Sequence, residues 1–133
     1  PLPGAADFLR RLRELTQVVI LSDTFEQFAA PLMRHLDHPT ILCHRVVVHD
    51  DRIVDYRLRM PDQKRHAVAA FRSLNYRVVA AGDSYNDLTM LAAADAGILF
   101  RAPDHVRSEH PEHPAIDDYD ELLLRLTALL VDD

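Results

Sequence analysis

The stretch Gly82-Asp83-Ser84-Tyr85-Asn86-Asp87 carries the residue types and spacing most suited to chemistry. It follows the apolar run Tyr76-Arg77-Val78-Val79-Ala80-Ala81 and leads into Leu88-Thr89-Met90-Leu91. That order reads as a strand ending in an acidic loop at a helix start. In an open parallel sheet, ligands are held just beyond the carboxyl ends of the strands. Asp83 would stand at the strand tip and Asp87 in the first helical turn, so their hard oxygens can face one divalent cation. The plainer alternative is that Asn86 or Asp87 caps the helix. Two further clusters bear on that choice: Ser22-Asp23-Thr24 after the apolar run Val18-Val19-Ile20-Leu21, and Lys64 at the start of another helical pattern. A hydroxyl and backbone amides at a helix N-terminus hold phosphate oxygens, an ammonium offsets their charge, and carboxylates hold Mg2+. Ser22 is equally competent as a helix cap, and the two roles can coexist. Lys64 taken alone would be a solvated helix residue.

The elements that must position these groups follow from periodicity. Phe8, Leu9, Leu12 and Leu15 recur at helical spacing, so residues 4 to 15 are expected to form an amphipathic helix entered at Pro3 and Gly4. Val18 to Leu21 predicts a strand buried on both faces. Ser22 to Thr24 then predicts the start of a helix running through Leu36, kinked or divided at Pro31. Thr40 to Cys43 reads as a short strand. Val46-Val47-Val48 and Ile53 to Leu58 flank the Asp50-Asp51-Arg52 turn and predict an antiparallel hairpin over about 44 to 59. A helix is expected from Gln63, a buried strand over Tyr76 to Ala81, a helix over Asn86 to Ala94 and a strand over Ala96 to Phe100. A polar connection with Pro103, Pro111 and Pro114 leads to a last helix from about Tyr119 to Val131. Strands alternating with helices predict a three-layer α/β/α fold around a mainly parallel, Rossmann-like sheet, in one domain over 1–133, with the hairpin projecting from it.

Composition excludes several classes. The 133 residues are 48% apolar and 27% charged, as in ordinary globular proteins. A net charge of -6 without a Lys/Arg run argues against a nucleic-acid partner. No apolar run nears the roughly 20 residues that span a bilayer, which argues against a membrane partner. A single cysteine, Cys43, offers no internal disulfide and sits beside Ile41 and Leu42 as a buried structural thiol, so a cytoplasmic location is expected. Of the eight histidines, His105, His110 and His113 lie in an irregular proline-rich segment without a cysteine and do not read as a metal site. His35, His38, His44, His49 and His66 read as surface or packing residues. The three glycines cannot form a dinucleotide-binding GxGxxG turn.

Taken together, Ile20-Leu21-Ser22-Asp23-Thr24-Phe25, the isolated Lys64 and Gly82 to Asp87 resemble the second, third and fourth motifs of the haloacid dehalogenase-like (HAD-like) phosphatases, in their proper order. More narrowly, Gln17 to Phe25, Pro31-Leu32-Met33-Arg34, Tyr76 to Asp87 and Ala96 to Phe100 resemble the C-terminal two-thirds of the bifunctional phosphoserine phosphatase / phosphoserine:homoserine phosphotransferase family. The resemblance implies Mg2+ as cofactor, with Asp83 as a direct ligand and Asp87 acting through the metal's water shell or by orienting the loop. It implies that Ser22, the amide of Asp23 and Thr24 bind phosphate. Lys64 would pair with nucleophile and phosphate, and Asn86 would contact phosphate or substrate. Each role suits a transition state with spread negative charge. The implied reaction passes a phosphoryl group from phosphoserine through a phosphoaspartyl intermediate to water or homoserine, in L-serine biosynthesis.

The family opens with a strand ending in the nucleophilic aspartate, followed by a substrate-selecting cap. Neither has a counterpart here: Asp23 lies in the second motif and Asp7 in a helix. The chain begins at Pro1 rather than methionine and reads as most of a phosphatase core, a fragment or a degenerate relative. Without its first strand, an open sheet edge would invite a second copy to pair as a homodimer. The main alternative is a non-catalytic HAD-like binding module. A phosphoacceptor receiver domain is disfavoured, because Ser22 and Lys64 precede Asp83 instead of following it.

Overall fold

A computed structural model describes residues 3–57 and 60–131, which form two compact α/β units dividing between Gln63 and Lys64.

In the first unit, Gly4 takes a left-handed conformation (φ 87°) ahead of α1 (Ala5–Arg13), whose buried residue is Leu12. Strand β1 (Val19–Phe25) pairs in parallel with β2 (Thr40–His49), with Val19 opposite Thr40 and Leu21 opposite Leu42. The register then slips, and Phe25 lies opposite His44. Four steps along β1 are therefore matched by two along β2, and Ser22, Asp23 and Thr24 occupy the irregularity. Such bulges re-aim side chains and are frequent beside functional sites. The helix expected from Ser22 begins instead at α2 (Glu26–His35), because β1 continues through Phe25. Phe25 is extended and caps nothing with its side chain, so Ser22 is no helix cap. Thr24 and Phe25 are residue types that favour extended backbone. Helix α2 runs undivided through Pro31 and buries Ala29 and Met33, which cluster with Leu36 against Leu9, Ile20 and Ile41.

Val19, Ile20 and Leu21 are half-buried, not buried as their apolar run predicts. The cause is position: among the described residues β1 pairs only with β2 and forms one edge of its three-stranded sheet. The two strands expected at Thr40 to Cys43 and Val46 to Val48 are one strand, β2, whose second half pairs antiparallel with β3 (Arg52–Arg57). Asp50 and Asp51 join them with φ 50° and 58°, the twist that a tight hairpin turn requires. Leu58 and Arg59, at the far end of the expected hairpin, and Pro1 and Leu2 lie outside the described residues.

The second unit holds nearly all of α3 (Gln63–Ser73), whose Val68 is fully buried. Asn75 (φ 69°) ends that helix, with the Tyr76 N–H donating to the Phe71 carbonyl at 3.1 Å. Tyr76 thus belongs to the end of the helix, Val78 exchanges bonds with Asp95, and the following strand, β4, spans only Val79–Gly82. A 3-10 turn at Tyr85–Asp87 precedes α4 (Leu88–Ala93), so the expected helix starts with one tightened turn. Strand β5 (Ala96–Phe100) pairs in parallel with β4 and with β6 (Ala115–Ile116), and among the described residues β4 is an edge of this three-stranded sheet. The proline-rich connection contains α5 (Asp104–Glu109) and β6, both too short for periodicity to reveal. Helix α6 (Tyr119–Val131) has its expected bounds and buries Leu122, Leu123 and Leu126. Leu91, Ile98, Leu99, Val106 and Ile116 are the best-buried side chains around this sheet. No described helix is long and apolar enough to cross a membrane.

Candidate active site

In the second unit, the acidic loop is built around Asp87. Its Oδ2 accepts the backbone N–H groups of Asp83 at 3.0 Å and Ser84 at 3.2 Å, and the Ser84 hydroxyl at 3.3 Å. Its Oδ1 accepts Lys64 Nζ at 2.6 Å, with the two side chains 15% and 7% exposed. Gly82 permits this fold-back. A Cβ there would stand 2.6 Å from both Cβ and Oδ2 of Asp87, closer than any side chain tolerates. The requirement is for space, and it falls where β4 ends and the loop begins.

Burial acts to raise the Asp87 carboxyl pKa. The Lys64 hydrogen bond and charge, with the Asp83 and Ser84 amides, outweigh it and hold the group below its ordinary value. A carboxylate whose folded pKa lies below its unfolded one stabilises the fold above the unfolded value, and the contribution is lost as pH falls through the folded value. In metal-free buffer the stability difference between the parent chain and Asp87→Asn is therefore expected to shrink as pH falls below about 4. Urea unfolding of both proteins from pH 7 downward checks this; a constant difference would contradict it.

Asp83 is built differently. Its N–H is committed to Asp87, whereas its carboxylate is exposed and makes no hydrogen bond or ion pair among the described residues. The loop thus holds one carboxylate fully engaged and one open. A cation would find its anionic oxygen on Asp83, with Asp87 behind it. No group of three His, Cys, Asp or Glu side chains that could cage a metal occurs among the described residues. This donor set fits Mg2+, which keeps several waters and needs only one or two carboxylates plus substrate phosphate. Asn86 is exposed on the 3-10 turn. Tyr85 ties the loop to α5 by donating its hydroxyl to the Glu109 carboxylate, a bond that raises the phenol pKa. Its ring lies 5.5 Å from that of His105 and 6.4 Å from that of His110. His110 and His113 both approach Glu112, at 3.0 and 4.0 Å.

In the first unit, Ser22 Oγ accepts the Thr24 N–H at 3.2 Å. A hydroxyl that accepts in this way keeps its own proton for another acceptor. Ser22 and Thr24 are half-buried and Asp23 is exposed. Beneath them lie two polar residues that the sequence did not single out for the site. Gln63, 7% exposed, donates from Nε2 to the Ser22 carbonyl at 2.6 Å. His44, 5% exposed, has Nε2 3.5 Å from Asp23 Oδ1 and its ring 6.1 Å from that of Phe25. Gln63 directly precedes Lys64, and His44 continues the run Ile41-Leu42-Cys43. A polar residue prolonging an apolar strand was the available signal for His44; nothing marked Gln63. Ser22, Asp23 and Thr24 are thus brought together in one unit, and Lys64, Asp83, Asn86 and Asp87 in the other.

A family model described as haloacid dehalogenase-like hydrolase matches residues 1–95. The chain is 60% identical over 123 residues to a phosphoserine phosphatase of Pseudomonas syringae pv. tomato, covering 92% of this chain and 52% of the relative. It is 58% identical to the phosphoserine phosphatase ThrH of Pseudomonas aeruginosa, covering 92% of this chain and 60% of that one. The chain thus spans little more than half the length of these relatives. Among solved structures, a phosphoserine phosphatase from T. onnurineus is similar with a TM-score of 0.71 at 28% identity, covering 94% of this chain and 58% of that one. The match of the family model over most of the sequence, including the Ser22, Lys64 and Asp83 segments, shows that the chain belongs to the haloacid dehalogenase-like hydrolases.

Proposed function

We propose that the complete protein is an Mg2+-dependent phosphoserine phosphatase with phosphoserine:homoserine phosphotransferase activity, serving L-serine biosynthesis in the cytoplasm, and that this chain is its core without the nucleophile strand and cap. The observation that carries the reading is the contrast within the acidic loop: Asp87 is saturated by Lys64 and backbone amides, while Asp83 presents an open carboxylate. The identity to phosphoserine phosphatases supports the substrate. The half-buried apolar residues along the edge strand β1 support a further strand in the complete protein. In the isolated chain that edge invites a homodimer.

In this reading Asp83 holds the Mg2+, which when bound polarises a phosphoryl oxygen and offsets negative charge. Asp87 fixes the loop that carries Asp83 and keeps the Lys64 ammonium in place. Lys64 offsets charge on the nucleophile and phosphate. Ser22 donates its hydroxyl proton to a phosphoryl oxygen, and the Asp23 amide, with Thr24, completes the phosphate-binding turn. Asn86, exposed beside Asp87, contacts phosphate or substrate. Within its own unit each group is held by bonds the fold already makes, Ser22 by the Thr24 N–H and Lys64 by Asp87, and donors held in advance stabilise developing charge without reorganising. The nucleophile is an aspartate outside this chain, phosphorylated and then relieved by water or by homoserine. Incubating the full-length protein with phosphoserine and Mg2+, with and without homoserine, tests the reading. Serine should form in both cases, and phosphohomoserine only with the acceptor present. Failure to release serine would overturn the proposal.

A further inference from the structure

The turn bearing Ser22 is held by a residue outside its own strand. Gln63, at the first position of α3, is buried and donates from Nε2 to the Ser22 carbonyl at 2.6 Å. Only the nitrogen of the side-chain amide can donate to a carbonyl, so this bond fixes which way the amide faces. A peptide unit is planar and trans, and its C=O and N–H point in opposite directions. Drawing the Ser22 carbonyl toward Gln63 therefore turns the Asp23 N–H to the other side of the strand. This happens where the pairing of β1 with β2 has slipped. The Ser22 hydroxyl belongs to the same turn through the Thr24 N–H. The second N–H of Gln63 faces Asp23 Oδ1 and His44 Nε2, each 3.5 Å from Nε2 and 3.5 Å from one another.

We infer that Gln63 is a positioning residue for phosphoryl transfer: by holding the Ser22 carbonyl it sets the peptide plane between Ser22 and Asp23 and aims the donors of the phosphate-binding turn. The inference rests on the reading of Ser22 and Asp23 as phosphoryl donors. A misaimed donor costs most where charge develops, so turnover should suffer more than substrate capture.

Gln63→Met keeps the length of the side chain and removes its donors. In the full-length protein kcat for phosphoserine should fall by about 10- to 100-fold, less than the loss on deleting an oxyanion donor outright, with KM changed less than about threefold. Gln63→Glu, which sets an acceptor against the Ser22 carbonyl, should fall further. A folded Gln63→Met enzyme with kcat within twofold of the parent would overturn the inference. The unmodified full-length protein supplies a test that needs neither turnover nor a variant. A scalar coupling across the hydrogen bond between Gln63 Nε2 and the Ser22 carbonyl carbon should be measurable by NMR, and its absence would overturn the inference. Should the parent enzyme release no phosphate, the functional reading fails, and the coupling still decides whether Gln63 holds the turn.

Discussion

Asp83→Asn in the full-length protein is expected to cut Mg2+-dependent turnover by more than about 100-fold, since losing even an outer partner of a metal ligand costs 10- to 100-fold. The size of the effect follows from the division of labour in the loop. The Asp83 carboxylate makes no hydrogen bond or ion pair among the described residues, so nothing in the fold compensates for its charge, and nothing in the fold depends on it. Its backbone N–H, which does support Asp87, survives the substitution. The thermal midpoint should therefore stay close to that of the parent, whereas the Mg2+ concentration for half-maximal rate should rise steeply. Titrating Mg2+ in a phosphate-release assay, with a melting curve on the same samples, separates the two. Parent-like Mg2+ dependence in the variant would remove Asp83 from the site.

Lys64→Met should show the opposite balance, with a large loss of stability as well as of activity. Lys64 Nζ lies 2.6 Å from Asp87 Oδ1, and the Asp87 side chain is 7% exposed. Removing one member of a buried ion pair strands the other and costs about 3–5 kcal/mol. The lower end, about 3 kcal/mol, is expected here, because Asp83 and Ser84 still donate to Asp87 and the carboxyl can take up a proton. Urea unfolding of the 133-residue chain measures this without reference to catalysis. The double variant Lys64→Met/Asp87→Asn should recover part of the loss, as the stranded charge is gone. A single variant as stable as the parent would mean that the pair is not formed in solution.

The acidic loop also shows how far residue type and spacing reach by themselves. Asp83 and Asp87 differ in role only through the bonds that Asp87 makes, and spacing alone cannot say which of two carboxylates four residues apart will be buried. The motif order placed both in one loop, and Gly82 was visible as the residue before them. That a Cβ at Gly82 would collide with Asp87 depended on three-dimensional packing. Ser22 illustrates the reverse. Its residue type marked it for phosphate binding, but the same type is a common helix cap, and a helix was expected to start there. Thr24 and Phe25 favour extended backbone, and the pairing of Phe25 with His44, a non-local contact, carries β1 past Ser22. The long amphipathic helices α1, α3 and α6 were legible because each repeats its pattern over several turns. Helix α5 and strand β6, at six and two residues, carry too little pattern to read. Gln63 carries no signal in the sequence, because what distinguishes it is one hydrogen bond to a residue 41 positions away.

The central claim is that these residues serve Mg2+-dependent phosphoryl transfer and that the nucleophile lies outside this chain. Phosphate release from phosphoserine, measured for the 133-residue chain and for the full-length protein with Mg2+ or with EDTA, tests it most directly. The account predicts turnover by the full-length protein in Mg2+ alone, and background release in every other arm. Turnover by the short chain, or metal-independent turnover by the long one, would contradict it.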